Sequence, residues 1–437
     1  MAVGFPEESI PDPVDAACPD GGAGLVPPAW GRMLRVALAR AFWLTGRSLF
    51  EVRVRGLEHF TNQPATLLVA NHTSDFDTIL LLPTLYFAHG GRGPIGRCAF
   101  AAGEHLFAPE YLATYVLRRL GRLRGWLYGV SLARILWALR AYPIPRARRR
   151  KLAVHLRSVR ELVGDARLAD VLAVPVERLL PRVCPQARIG DVMRWRYQEA
   201  LDAEHGFSIF KPALARLLRR RQLRFIDACL GRLSAVLEAG DCLFIAPEGE
   251  LSPDGSLGEF RAGLCRILER VEREVVILPI NITYDWMTDG RPAAFLSLGR
   301  QIHCPPHCQR HRLKAQLAAA VASLHTVTLG QLVCQALMGC ADGWDLRGRN
   351  EVRLRKRVRA EAMELAQRGY QVDERLLTPG GFALRWERFL RYAQQRRWLG
   401  TPDQARDEPA IDPLPWRYAV NELHSALNWA TVRSGRR

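Results

Sequence analysis

The chain is poor in lysine: Lys151, Lys211, Lys314 and Lys356 are the only four among 62 basic residues, and the rest are arginine. The formal net charge is +18 over 437 residues. Basic charge carried by planar guanidinium forks suits bidentate contact with phosphate. The expected partners are therefore anionic: phospholipid headgroups, phosphorylated small molecules or nucleic acid. No run of about 18 uninterrupted apolar residues occurs, so a spanning helix is not expected. The ten cysteines follow no disulfide-framework spacing, so a reducing, cytoplasm-facing setting is expected. No basic residue precedes Arg32, whereas Glu7, Glu8, Asp12, Asp15 and Asp20 do, and a secretory leader is not expected. No internal repeat is visible. The segment Tyr111–Arg160 lacks Asp and Glu altogether.

That segment holds twelve arginines and Lys151, interleaved with Tyr111, Tyr115, Trp126, Tyr128, Trp137 and Tyr142. A solvated helix face mixes charge signs, so fifty residues of one sign point elsewhere. Arginine with aromatics suits a headgroup interface; it also suits single-stranded nucleic acid. Upstream, residues 1–29 are acidic, rich in Pro and Gly, and read as a flexible tail. From Trp30 the residues Trp30, Met33, Leu34, Ala37, Leu38, Ala41 and Phe42 recur at helical spacing, with Arg32, Arg35 and Arg40 between them. The pattern predicts an amphipathic helix at a membrane surface, with its lead-in over 30–62.

Short apolar runs predict buried strands at Thr66–Ala70, Cys242–Ala246 and Val275–Thr283, with a weaker one at Ala294–Gly299. Pro279 places the third at an edge or a bulge. Phe225–Ala239 reads as a helix ended by Gly240. Residues 163–222 read as a helical insertion, and the chain is helical from 312 to 437. Strands alternating with helices predict an α/β fold: a mixed sheet flanked by helices, occupying 63–311, with a membrane-surface helical region and an appended helical C-terminal region.

Between the first strand and the helix-length run Thr78–Ala88 lies Asn71-His72-Thr73-Ser74-Asp75-Phe76-Asp77. A helix beginning after His72 puts Asp77 in its first turn, where the helix dipole also favours a carboxylate. From there Asp77 can reach back to the imidazole. A carboxylate on one ring nitrogen fixes the tautomer and leaves the other nitrogen as a base. This is a Ser-His-Asp triad without its serine, so the nucleophile would be a substrate hydroxyl. Asp75 is a rival partner, read instead as the helix cap. Elsewhere His303, Cys304, His307, Cys308 and His311 are metal-ligand types at close spacing. Pro305 and Pro306 break any helix there and no second ligand pair stands at finger-like distance, so no metal is expected.

Four blocks in order resemble the glycerolipid acyltransferase family, whose best-known members acylate lysophosphatidic acid. They are Asn71–Asp77; Ala141-Tyr142-Pro143-Ile144-Pro145-Arg146; Ile245-Ala246-Pro247-Glu248-Gly249-Glu250-Leu251-Ser252 with Phe260-Arg261-Ala262-Gly263 behind it; and Ile277-Leu278-Pro279-Ile280. The resemblance covers 48–300. It implies His72 as general base, Asp77 as its orienting partner, and Arg146, Glu248, Gly249, Ser252 and Arg261 as substrate-binding residues. It implies an acyltransferase moving a fatty acyl group from acyl-CoA or acyl carrier protein to a hydroxyl of a lysolipid, with that thioester as co-substrate and no further cofactor. Peripheral docking on the cytoplasmic face of a membrane follows as an expectation, and nucleic acid does not, since no nucleic-acid motif is present.

One departure bears on the acceptor. Glu250-Leu251 stand where the family has Thr-Arg. Leucine in place of that arginine, with a carboxylate beside it, weakens the case for a phosphate contact there. The expected acceptor stays lysophosphatidic acid or a related lysophospholipid, and the change makes an amino-containing or glycosylated lysolipid the alternative to it. A catalytically inactive surface-binding protein on the same fold is the remaining alternative.

Overall fold

Aliphatic runs between Pro, Gly and Asn become strands, and the longer periodic segments between them become helices. The computed structural model describes residues 29–107, 111, 130–144, 150–306, 310–338, 348–396 and 414–434. The chain divides into two compact units, Met1–Leu34 with Ala99–Leu233 and Arg35–Cys98 with Ser234–Arg437.

The second unit is built on a mixed sheet. Its strands are β1 (Glu51–Arg55), β2 (Thr66–Ala70), β3 (Leu243–Ile245), β4 (Val275–Asp285), β5 (Ala293–Leu298) and β6 (Ile302–Cys304). Five lie side by side as β1–β5–β4–β2–β3, and β6 pairs with the first part of β4. β1 is parallel to β5, β5 antiparallel to β4, and β4, β2 and β3 are mutually parallel. Every residue of β2, β4 and β5 is buried, as in a sheet covered on both faces.

Pro279 does not mark an edge. β4 is interior, with β2 on one side and β6 then β5 on the other. β6 pairs with residues 275–277 and β5 with 280–285. The carbonyl of Pro279 accepts from the Gly299 N–H at 2.8 Å on that second side. In an extended strand one residue's N–H and C=O face the same way. The missing donor of Pro279 thus falls in the gap where one partner strand gives way to the next.

Helices cover the sheet. α1 (Ala29–Leu49) precedes β1 and α2 (Asp77–Ala88) follows β2. The basic run Arg216–Arg224 and the segment predicted at Phe225–Ala239 form one 27-residue helix, Pro212–Glu238. Its end is as expected. Gly240 has φ +78°, its N–H reaches the Leu237 carbonyl, and that of Asp241 reaches Val236. This paired closure needs a left-handed residue, which glycine adopts without strain.

Beyond the sheet run α3 (Arg310–Ser323), α4 (Leu329–Met338), α5 (Gly348–Gln367), α6 (Pro379–Gln395) and α7 (Leu414–Ser434). α3 packs on β4 and β2, and α7 packs on α3 and α4. Leu332, Val358, Trp386, Phe389 and Leu423 form a core among these helices, joined by Met287 just past β4. One buried ion pair keys them to the sheet: Arg385 of α6 binds Asp285, the last residue of β4, and both side chains are 1% exposed. Asp373, equally buried, stands 3.8 Å from Arg385.

In the first unit, Ala99–Gly103 and Ala141–Ile144 pair in parallel. Short helices between 152 and 202 enclose a separate core of Leu156, Leu168, Ile189, Leu201 and Phe210. His155 meets the His205 carbonyl at 2.9 Å, and burial pushes its imidazole down to about 4, so it packs neutral. The expected tail, and most of the one-signed segment (112–129 and 145–149), lie outside the described residues. Among the described residues no helix is long and apolar enough to cross a membrane.

Removing one partner of a buried pair strands the other charge, which costs about 3–5 kcal/mol. Arg385→Ala is expected to lose stability on that scale in chemical denaturation. Replacing Arg385 and Asp285 together by apolar residues should recover most of it. An Arg385→Ala protein as stable as the parent contradicts the role of this pair.

Candidate active site

The site is built where β2 stops. After Ala70 pairs with Ile280, the side chain of Asn71 continues the ladder. Its amide donates to the Ile282 carbonyl at 2.9 Å and accepts from the Ile282 N–H at 2.7 Å. The backbone is thereby released from the sheet without losing its partner, and residues 72–76 form a tight turn into α2.

Asp77 is the first residue of α2 and is 1% exposed. One carboxylate oxygen accepts from His72 Nδ1 at 2.9 Å, from the Thr73 N–H at 2.9 Å and from the Ser74 N–H at 3.0 Å. The other accepts from the Tyr284 hydroxyl at 2.7 Å. Four donors replace the water that burial removed, so the charge is tolerated. Asp75 does not cap the helix as expected; the Ser74 hydroxyl takes the Phe76 N–H at 3.2 Å instead. Two Asp77 contacts are to the turn's own backbone, so the residue that orients His72 also shapes the loop holding it.

Glu248 grips His72 from the other side. Its carboxylate accepts from the His72 N–H at 2.9 Å and from the Gly258 N–H at 2.7 Å, and it is 5% exposed. The Ser252 N–H donates to the His72 carbonyl at 3.0 Å. Both backbone groups of His72 are therefore fixed by the 248–252 loop. Gly249 turns that loop with φ +73°, and a Cβ there would stand 3.0 Å from Arg261 Cδ; a side chain would be strained and crowded. The Ser252 hydroxyl is spent on the Ser256 carbonyl at 2.9 Å. Arg261 pairs with Glu250 at 2.5 Å, both about half-exposed. Of the sequence-derived set, His72, Asp77, Glu248, Gly249, Ser252 and Arg261 come together, and Arg146 lies outside the described residues.

Three contributors were not singled out from sequence. Tyr284 stands one residue past the strand predicted at Val275–Thr283. Tyr418 of α7 donates its hydroxyl to the Thr73 carbonyl at 3.3 Å. Glu422, one turn on, accepts from Gln331 at 2.8 Å. With Asn71, Thr73, Glu248 and His325 it lines a cavity of about 20 Å³ behind the turn, room for roughly one water.

The electrostatics favour a base. Burial disfavours the charged imidazole, but the Asp77 hydrogen bond and charge, with Glu248 and Asp75 behind them, outweigh it and raise His72 above its ordinary 6.5. Burial also raises Glu248 and takes Glu422 up to about 8. The tyrosine hydroxyl beside Asp77 is pushed far up by burial and that carboxylate, so it remains a donor. His72 Nε2 has no partner among the described residues, and its side chain is 28% exposed. One nitrogen is held and the other is open, which is the arrangement of a general base.

Residues 51–123 match the family model described as Acyltransferase. Over that segment the chain is similar to the acyltransferase family. Among solved structures it is similar to the crystal structure of the 1-acyl-sn-glycerophosphate (LPA) acyltransferase PlsC from Thermotoga maritima, at 16% identity, 67% coverage of this chain, 76% of that one, and a TM-score of 0.33. No curated protein sequence matches. The matched segment carries β1, β2, His72 and Asp77. Among the described residues no three His, Cys, Asp or Glu side chains are grouped to hold a metal. His303 meets Glu274 at 2.8 Å, and 307–309 lie outside the description.

Because the folded site raises His72, its imidazole is expected to titrate above 6.5 in histidine-resolved NMR. Asp77→Asn deletes the charge that favours the imidazolium while keeping an acceptor, so the midpoint should fall. An unchanged midpoint in Asp77→Asn would show that the two side chains are not coupled.

Proposed function

We propose that this acyltransferase moves a fatty acyl group from a thioester, acyl-CoA or acyl carrier protein, to a hydroxyl of a lysolipid at a membrane surface. The observation that carries the reading is the held Nδ1 and open Nε2 of His72. An alcohol ionises near pH 15–16 and is a weak nucleophile at pH 7; a positioned base contributes about 10²–10⁴-fold. His72 Nε2 takes the hydroxyl proton as the oxygen attacks the thioester carbon. The tetrahedral intermediate collapses by breaking the C–S bond, and the imidazolium returns the proton to the leaving thiolate. Asp77 holds the tautomer and stabilises the imidazolium without itself taking the proton.

One observation bears on the acceptor. The Glu250 carboxylate takes up the charge of Arg261 beside the site. That favours an acceptor without a phosphate at this point, such as an amino-containing or glycosylated lysolipid, and leaves any headgroup phosphate to Arg146. Docking at the membrane would use the arginine and aromatic residues of 111–160, with exposed Trp30, Met33 and Leu44 on α1.

His72→Ala is expected to lower turnover about 10²–10⁴-fold with thermal stability unchanged, in an assay of the purified protein with acyl-CoA and acyl carrier protein against a lysolipid panel. For the parent, kcat/KM should rise with pH along a limb whose midpoint lies above 6.5, because the base works only when deprotonated. Parental turnover in His72→Ala would overturn the mechanism.

A further inference from the structure

Away from the dyad, the second unit holds a cleft of about 480 Å³, within the size range of small-molecule sites. Arg47, Arg53, Arg291, Arg375 and Arg388 line it, against one carboxylate, Glu51. Glu51 is already divided: one oxygen meets Arg375 and the other Arg388, each at 2.6 Å. Burial raises this carboxyl, but the two guanidiniums outweigh it and hold it below the ordinary range. Arg375 is further bound to Asp373 at 2.9 Å. Arg47, Arg53 and Arg291 are exposed and have no carboxylate partner among the described residues.

Two of these three are already oriented. Arg291 donates to the Arg47 carbonyl at 2.7 Å, in the last turn of α1. The Arg47 guanidinium lies 4.5 Å over the Trp43 ring. Like charges gathered in one concavity repel one another unless an anion joins them, and the planar fork matches phosphate bidentately. The cleft also touches the catalytic machinery. Phe50 in its wall packs against Phe76 at 5.1 Å and Tyr284 at 5.6 Å, the neighbour of Asp77 in sequence and its neighbour through a hydrogen bond. A coenzyme A thioester carries its phosphates at the far end of the pantetheine arm from the reacting carbon. A phosphate site for such a donor must therefore stand off from His72, and this cleft, which does not include His72, reaches the neighbours of Asp77 through Phe50.

We propose that the cleft binds the phosphorylated nucleotide end of a coenzyme A thioester, with Arg53 and Arg291 as the principal phosphate ligands. The identity of the donor rests on the acyl-transfer reading; the cleft's affinity for the nucleotide does not. The test is calorimetric titration of the full chain with free coenzyme A, pantetheine and inorganic phosphate, for the parent and for Arg53→Glu/Arg291→Glu. Coenzyme A should bind the parent and weaken about tenfold or more in the variant, the loss expected for charge-assisted contacts. Pantetheine should not distinguish the two proteins. In turnover, KM for acyl-CoA should rise with kcat retained, and an acyl-pantetheine donor should be used equally by both. Circular dichroism and a milder Arg53→Ala/Arg291→Ala pair guard against misfolding. Unchanged coenzyme A affinity in folded variants overturns the proposal. So does inorganic phosphate binding as tightly as coenzyme A, or a defect confined to acyl carrier protein. Loss of activity in the parent assay with coenzyme A binding intact would instead remove the acyl-transfer reading.

Discussion

Everything in the site leans on one buried carboxylate. Asp77 accepts from His72, from two N–H groups of the turn and from Tyr284, and no water is needed to complete its shell. A charge this deep would cost several kcal/mol unpaired. Fully bonded, it ties three parts of the chain together: the turn after β2, the first residue of α2 and the end of β4. Tyr284 and Asp285 are successive residues, so the strand end that steadies Asp77 is the one pinned to the C-terminal helices through Arg385. Packing among those helices is thereby linked to the placement of His72.

One loop, 248–252, holds His72 by both its backbone groups, while the side chain stays partly exposed. A residue that works at the surface cannot be fixed by burying its own side chain. The Glu248 carboxylate on its N–H and the Ser252 N–H on its carbonyl fix it instead, leaving Nε2 open. Glu248 thus acts first on the turn that carries His72. α7 closes the arrangement through Tyr418 on Thr73, so residues far beyond the matched segment 51–123 complete the site.

The local features of this site were legible in the sequence. Thr66–Ala70 is the strand its apolar run predicts, and the His-x-x-x-x-Asp spacing gives the hydrogen bond that a helix starting near Asp77 requires. The acidic and glycine residues of Pro247-Glu248-Gly249 come to the dyad as the motif order implies. What could not be read depends on distance along the chain. Tyr284 is 207 residues from Asp77, and hydrophobic periodicity marks a strand without saying which of its ends meets which loop. Pro279 misleads for a related reason: a missing donor signals an edge only if both neighbours run the full length of the strand, and here one side changes partner. Asp75 and Asp77 were both possible partners for His72 by spacing; the one that turns inward is held by Tyr284 and the turn backbone.

The central claim is that Asp77 fixes His72 as the Nδ1–H tautomer with Nε2 free to accept a proton. Nitrogen-15 NMR of histidine-labelled protein, at a pH above the His72 titration, reads this directly. The account predicts a protonated, hydrogen-bonded Nδ1 and a bare Nε2 for His72. A resonance pattern showing Nε2 protonated and Nδ1 bare, or an equal exchanging mixture of the two, would contradict it.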